Sequence, residues 1–237
     1  MGVIIMNVSI SDAIALVELF EQATSASVKA LSSVGKMRRL AKGEHLFFDK
    51  EQVDMIYIVI SGLVTLYKID SQGEKKVIFV LDKGKIINEV ILQNVTASIN
   101  CEVFEDAQIL CFNRLDFLRV MEQDFAFTKS VFDSLAMKVR RLYRQLKNTP
   151  NSVRNDKRIA AKLWKLSRDY GVPCQGQDGT RIILDLSITY LADMLGSRRE
   201  TVSRQLKIFA EQGLIRIDDG QIIIPDRDKL SQYFKLP

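Results

Sequence analysis

Two periodicities divide this chain. From about Met37 to Asn113, short apolar runs rich in β-branched and aromatic residues alternate with glycine-bearing polar pairs. The runs are HLFF, MIYIVI, LVTLYKI, KKVIFVL, SINCEVF and AQILCF. The punctuation falls at Lys42-Gly43, Ser61-Gly62, Gln72-Gly73 and Lys83-Gly84. Short strands with glycine turns at this spacing predict an antiparallel sandwich or barrel-like roll. Asp70-Ser71-Gln72-Gly73, between two such runs, predicts a hairpin. Ahead of them MGVIIMNVSISDAIALVELF reads as an irregular lead and an amphipathic helix.

Past Gln123 the period lengthens. Phe125, Thr128, Phe132, Leu135, Val139, Leu142 and Leu146 recur at alternating spacings of three and four. Three sustained heptads predict a long helix with a narrow apolar seam. So narrow a stripe suits a partner helix better than a buried position, with packing on the chain's own β domain as the alternative. Pro150 disfavours helix at Thr149, so the helix should stop near Asn148–Ser152, the expected linker.

Beyond the linker, Ser152 to Tyr170 reads as an amphipathic helix with Ile159, Leu163, Trp164 and Leu166 on its apolar side and Gly171 as its C-cap. GVPCQGQDGT reads as a loop and RIILDL as a short strand. Ser187–Leu195 and Ser197–Phe209 read as two short helices, and LIRIDDGQIII as a hairpin turning at Asp219-Gly220. Helix, helix, turn, helix and two strands make a winged helix-turn-helix. The window Ile188–Lys207 meets the motif's physical needs. Ala192 is small where the helices cross, Gly196 tolerates a left-handed turn, and Leu191, Leu195, Val202 and Leu206 dock the second helix.

Charge agrees with this division. The net charge is +5, of which residues 148–237 carry +4 (15 Lys/Arg against 11 Asp/Glu). No acid falls between Ser134 and Asn155, where Lys138, Arg140, Arg141, Arg144, Lys147 and Arg154 stand. This mild basic excess is compatible with nucleic acid. Three cysteines without a CxxC pair argue for a reducing compartment and no disulfide framework. The N-terminus lacks a basic n-region, and no run of eighteen apolar residues occurs, so the expectation is a cytoplasmic protein with no membrane partner.

On the second helix of the motif, Val202, Leu206 and Phe209 share one side at 100° per residue. Arg199, Glu200, Ser203, Arg204 and Lys207 share an adjoining arc of about 140°. Arginine forks to guanine, glutamate accepts from cytosine, and serine contacts a base or a phosphate. Glu200 argues against a plain phosphate-binding patch, because a carboxylate in its centre would repel the backbone. Ser187, Thr189, Ser197, Thr201 and Lys207 are candidate phosphate contacts near helix starts or on the flank, and Ser197 is also a candidate helix cap. No glycine-rich phosphate loop, metal-ligand cluster or nucleophile motif is present, and the chain is not expected to be an enzyme.

RRETVSRQLKIFAEQGLI, preceded by ITYLADMLG, resembles the recognition unit of the Crp/Fnr bacterial transcription regulators. KGEHLFF, YIVISGLVTLYK, SQGEKKVIFVLDKGKIINEV, the heptad helix and RNDKRIAAKLWKLSRDYG extend the resemblance over nearly the whole chain. It implies an α+β fold: an effector-sensing, cyclic-nucleotide-binding-type β-roll with an N-terminal helix (1–124), a dimerisation helix (125–147) and a winged helix-turn-helix (148–237). It implies a homodimer, joined along Phe132, Leu135, Val139, Leu142 and Leu146, on a palindromic operator, with RNA polymerase as a further partner. The family's base-reading pattern falls on Glu200, Ser203 and Arg204. Arg199 matches an extra guanine-reading arginine of some members. The Glu-x-x-Ser-Arg form resembles the Fnr-like branch, whose half-sites centre on T-T-G-A. A ligand-binding module of a larger signalling assembly is the alternative reading, and no catalytic domain follows the roll to support it.

The effector region departs from the family's phosphate-binding cassette. Asn88-Glu89 stands where a Gly-Glu pair is expected, and Asn94-Val95-Thr96-Ala97-Ser98 has no arginine. A cyclic phosphate needs a cationic or amide-rich cradle, so cyclic AMP is not the expected effector. Three cysteines cannot supply an iron–sulfur cluster's four ligands, and haem would rest on His45 alone. The expectation is an unidentified small molecule near Asn88, Glu89, Thr96, Ser98, Tyr143 and Arg144, with no metal. Cys101 and Cys111 are expected to be buried, inert thiols.

Overall fold

A computed structural model describes residues 9–147, 154–176 and 178–235, in two compact units that are treated separately. In the N-terminal unit, α1 (Ile10–Ala15), a 3-10 turn at Glu18–Phe20 and α2 (Ser25–Val34) precede the strands. Strands β1 (Lys36–Leu40), β2 (His45–Phe47), β3 (Met55–Ile69), β4 (Lys75–Leu81) and β5 (Asn100–Asn113) follow. They form one antiparallel sheet in the order β1-β5-β3-β4, with β2 also pairing β5. The expected turn at Ser61-Gly62 is absent. MIYIVI and LVTLYKI are one strand, and SINCEVF and AQILCF are another. Gly62 bends β3 instead. Its φ is +78° and a Cβ there would lie 2.1 Å from the Asp106 carbonyl oxygen, so only glycine lets the strands approach at this bulge. The Asp70–Gly73 hairpin is present: Asp70 Oδ1 accepts from the Gln72 and Glu74 amides, and Gly73 has φ +80°.

Two helices close the unit. The heptad reading did not extend to α3 (Arg114–Gln123), which Asn113 caps by accepting from the Leu115 amide at 2.9 Å. α4 (Phe125–Lys147) is the expected long helix. The stop at Asn148–Ser152 lies outside the described residues. Four rings from separate elements seal the core: Phe20, Phe112, Phe117 and Phe127 pack with centroids 5.2–6.1 Å apart. Their mutual burial joins the N-terminal segment, β5, α3 and α4.

Asp124 ties the same elements by hydrogen bonds. Its Oδ2 accepts from the Thr24 amide at 2.7 Å, ahead of α2, and its Oδ1 from the Phe127 amide at 3.0 Å in the first turn of α4. Two backbone donors hold this carboxyl well below the usual carboxylate range. A depressed folded value stabilises the fold fully well above the unfolded pKa of 3.8, and this contribution is lost as pH falls through the folded value. Asp124→Ala should cost about 2 kcal/mol at neutral pH. Urea unfolding at descending pH should show the gap between variant and parent closing in acid. A gap independent of pH would sink this role.

α4 has two apolar faces. Phe127 and Val131 are buried against the roll, and Ser134 and Lys138 continue that face. The heptad seam points elsewhere. Phe125, Phe132 and Leu142 are exposed (Phe132 by 61%), and Leu135 and Val139 are half-buried. The Leu146 side chain is not among those described. The sequence leaves seam packing and roll packing as alternatives. In the structure the helix meets the roll with one face while the seam stays open.

The C-terminal unit has α5 (Asn155–Asp169), β6 (Gly171–Pro173), β7 (Thr180–Ile182), α6 (Ile188–Leu195), α7 (Arg199–Glu211), β8 (Arg216–Asp218), β9 (Gln221–Ile224) and α8 (Arg227–Lys235). The sheet order is β6-β7-β9-β8. GVPCQGQDGT is therefore not wholly loop: its first three residues are β6, which pairs with β7. Nor is Gly171 a left-handed cap. Tyr170 ends α5, and Gly171 is required because a Cβ would lie 2.0 Å from the Ser167 carbonyl oxygen. α8 has no counterpart in the sequence reading. It packs on α5 through buried Leu230, a hydrogen bond from Tyr233 to Asp156 (2.7 Å) and the edge of Phe234 on Trp164.

Candidate nucleic-acid interface and effector region

The C-terminal interface is built on α6 and α7. Ser187 caps α6, its Oγ accepting from the Tyr190 amide. Gly196 ends that helix in the left-handed region (φ +56°, ψ +52°), and the Ser197 amide then donates back to the Ala192 carbonyl. This is the turn for which glycine was expected. Ala192, Val202, Leu206 and Phe209 are buried at the helix crossing. Arg158 on α5 donates to the Leu195 carbonyl at 2.6 Å, a cation on the C-terminal end of α6. Ser197 is not the cap of α7. That helix starts at Arg199, with Arg198 in the cap position and no side-chain capping bond. Ser197 sits one residue too early because it completes the preceding turn.

α7 carries its polar arc outward. Arg199, Glu200, Arg204 and Lys207 are exposed, and Ser203 and Thr201 are half-buried. Among the described residues none of Arg199, Glu200 and Arg204 makes an ion pair. Ser187 and Thr189 are exposed at the start of α6. Behind the helices, β8 and β9 form the wing, turning at Asp219 (φ +47°) and Gly220 (φ +73°). Arg181 on β7 braces it, donating to Gln221 at 3.0 Å and to Asp218 at 3.2 Å. The sequence reading missed this brace, whose partners stand about forty positions away.

Of the six residues expected near the effector, Asn88 and Glu89 are buried and the other four are exposed. Asn88 is buried and saturated: its Oδ1 accepts from the Tyr57 amide at 3.0 Å and its Nδ2 donates to the Met55 carbonyl at 2.8 Å. It serves as a side-chain rung on β3. Glu89 is buried too, and its partner comes from α4. Lys138 forms an ion pair with it, with side-chain exposures of 13% for Lys138 and 2% for Glu89. Ser134 donates to Glu89 Oε1 at 2.8 Å, and Lys138 Nζ also donates to the Ile86 and Ile87 carbonyls at 2.7 and 3.2 Å. Burial lowers the Lys138 pKa, and Glu89 opposes that. Lys138 had entered the sequence reading only as one of a run of cations. Thr96, Ser98, Tyr143 and Arg144 are exposed.

His45 is held by Tyr67 (2.9 Å) and stacks on Phe48. Cys101 and Cys111 are buried free thiols, both raised by burial, Cys111 to about 11. The described residues hold no group of three or more potential metal ligands, and no helix among them is long and apolar enough to cross a membrane.

Fold and interface together define a protein with a β-roll followed along the chain by a winged helix-turn-helix. Comparison with known proteins gives the same division. The cyclic nucleotide-binding domain matches residues 37–124, and the Crp-like helix-turn-helix domain matches residues 157–233. Over 205 residues the chain is 27% identical to the anaerobic regulatory protein of Bacillus subtilis, covering 84% of each chain. It is 25% identical to the cyclic AMP receptor protein of Thermus thermophilus, covering 90% of this chain and 95% of that one. The c-di-GMP-responsive regulator CLP of Xanthomonas campestris shares the fold at a TM-score of 0.75 and 17% identity, over 86% of this chain and 100% of that one. The chain belongs to the Crp/Fnr family of transcription regulators.

Proposed function

We propose that this regulator binds a palindromic operator as a homodimer under the control of a small molecule other than cyclic AMP. The observation that carries DNA reading is α7, docked by Val202, Leu206 and Phe209 and presenting Arg199, Glu200, Ser203 and Arg204 with no ion-pair partner among the described residues. Charged side chains left in water on a rigid helix are poised for base edges. Lys207, Ser187, Thr189, Ser197 and Thr201 would hold phosphates. The exposed seam of α4 supports self-association, which would set the two recognition helices about 34 Å apart. The division at residues 124/125 and 147/148 follows the same reading, with RNA polymerase as a further partner and the cytoplasm as the compartment.

The exclusion of cyclic AMP rests on the cassette. Glu89, the acid of the Asn88-Glu89 pair, is already satisfied by Lys138 and Ser134, and no arginine follows in the Thr96–Ser98 stretch. Sedimentation and fluorescence anisotropy on a duplex carrying two T-T-G-A half-sites test the reading. The expected result is two chains per duplex. Phe132→Glu should yield monomers and weaken operator binding at least tenfold, because a charge would be buried in the seam. A monomeric parent, or a Phe132→Glu protein that still sediments as a dimer, would refute the seam.

A further inference from the structure

The N-terminal unit contains a cavity of about 360 Å³ away from the cassette loop, between the 3-10 turn at Glu18–Phe20, the end of β4 and one flank of α4. Its α4 residues include Ser130, Met137 and Arg141, which lie about 150° around the helix from the heptad seam. A partner docked on the seam would therefore leave this flank open.

The charges around the cavity sort into two groups. Asp133 is paired with Lys129 and Lys138 with Glu89, so these cancel locally. Four remain: Arg141 and Lys85 from α4 and the β4 end, and Glu18 and Glu21 from the N-terminal segment. Among the described residues none of the four makes a side-chain hydrogen bond or ion pair. Opposite charges lining one cavity without pairing leave a gap between them. Leu19 and Leu81, both buried, and Met137 supply apolar wall.

We infer that this cavity binds a small zwitterion, an α-amino acid with an apolar side chain. Its carboxylate would take the Arg141 fork with Lys85 beside it, its ammonium would face Glu18 and Glu21, and its side chain would lie on Leu19, Leu81 and Met137. The four unpaired charges sum to zero, which matches a net-neutral ligand and disfavours a polyanion. Ser134 and Lys138 line this cavity and also bond Glu89, so an occupant would touch the residues that hold α4 to the roll. As a control site it rests on the regulator reading above.

The test is calorimetry and thermal shift on the full chain with L-leucine, L-methionine and L-phenylalanine. Two analogues accompany each: the acid lacking the amine and the amine lacking the carboxylate. At least one amino acid should bind and raise the melting temperature, with both of its analogues markedly weaker. Arg141→Gln and Glu21→Gln, at exposed or half-buried positions, should each weaken binding on the order of tenfold. No binding by any of the three at about 10 mM would overturn the site, since a ligand far below its Kd gives no stabilisation. So would an amine-free acid that binds as tightly as its amino acid, or an Arg141→Gln protein of unchanged affinity. Operator binding by the same preparation, measured with and without each amino acid, keeps the two readings apart. If it is intact while no amino acid binds, only this inference fails. If it is absent under both conditions while an amino acid binds, the regulator reading and the control role fail and the binding site stands.

Discussion

Arg204→Ala is expected to lose roughly 1–3 kcal/mol of operator affinity per half-site, so up to several kcal/mol for a dimer on a palindrome. The loss follows from position. Arg204 is exposed on α7, on the same arc as Glu200 and Ser203, and has no ion-pair partner among the described residues to give up. Its fork is free for the O6 and N7 of one guanine. Removing it should relax discrimination at that base pair while leaving the fold intact, because the docking residues Val202 and Leu206 are untouched. Lys207→Ala should behave differently. Loss of a phosphate contact lowers affinity for all sequences alike and reduces the salt slope by about one unit. Anisotropy titrations over a series of salt concentrations, on operators substituted one base pair at a time, separate the two. An Arg204→Ala protein as tight and as selective as the parent would refute the recognition assignment.

Lys138→Met is expected to destabilise the N-terminal unit by about 3–5 kcal/mol, as when one partner of a buried ion pair is removed. Among the described residues Glu89 would keep only the Ser134 hydroxyl as a side-chain donor, at 2% side-chain exposure. The double variant Glu89→Gln/Lys138→Met should recover much of that loss, because no uncompensated charge remains inside. Denaturant unfolding of parent, single and double variants checks both expectations. A single variant as stable as the parent would show that the pair does not hold α4 to the roll.

How legible the chain was depended on the range of the interactions involved. The turn at Gly196 was readable because left-handed backbone is a local demand that glycine meets. The Asp219-Gly220 wing and the Asp70–Gly73 hairpin were readable for the same reason. The continuity of β3 across Ser61-Gly62 was not, since glycine marks a turn and a bulge alike and only Asp106 on the neighbouring strand distinguishes them. The same limit explains α8, a nine-residue helix placed by Leu230, Tyr233 and Phe234 against α5. It also explains Ser197, a fair cap by composition that the preceding turn had already used.

The effector region was the least legible. Asn88 and Glu89 were singled out because they break a familiar pattern, yet their partners could not be named. Tyr57 and Met55 are about thirty residues away, and Lys138 and Ser134 about forty-five to fifty. By itself the sequence determined the periodicities, the polar arc of α7 and the apolar stripe of α4, because backbone geometry projects spacing directly onto a face. Only the tertiary structure decided that α4 also meets the roll through Phe127, Val131 and Lys138, and that the buried Glu89 has its cation. A buried charge needs a counter-charge or hydrogen-bond donors, and which residues supply them is settled by packing between distant segments.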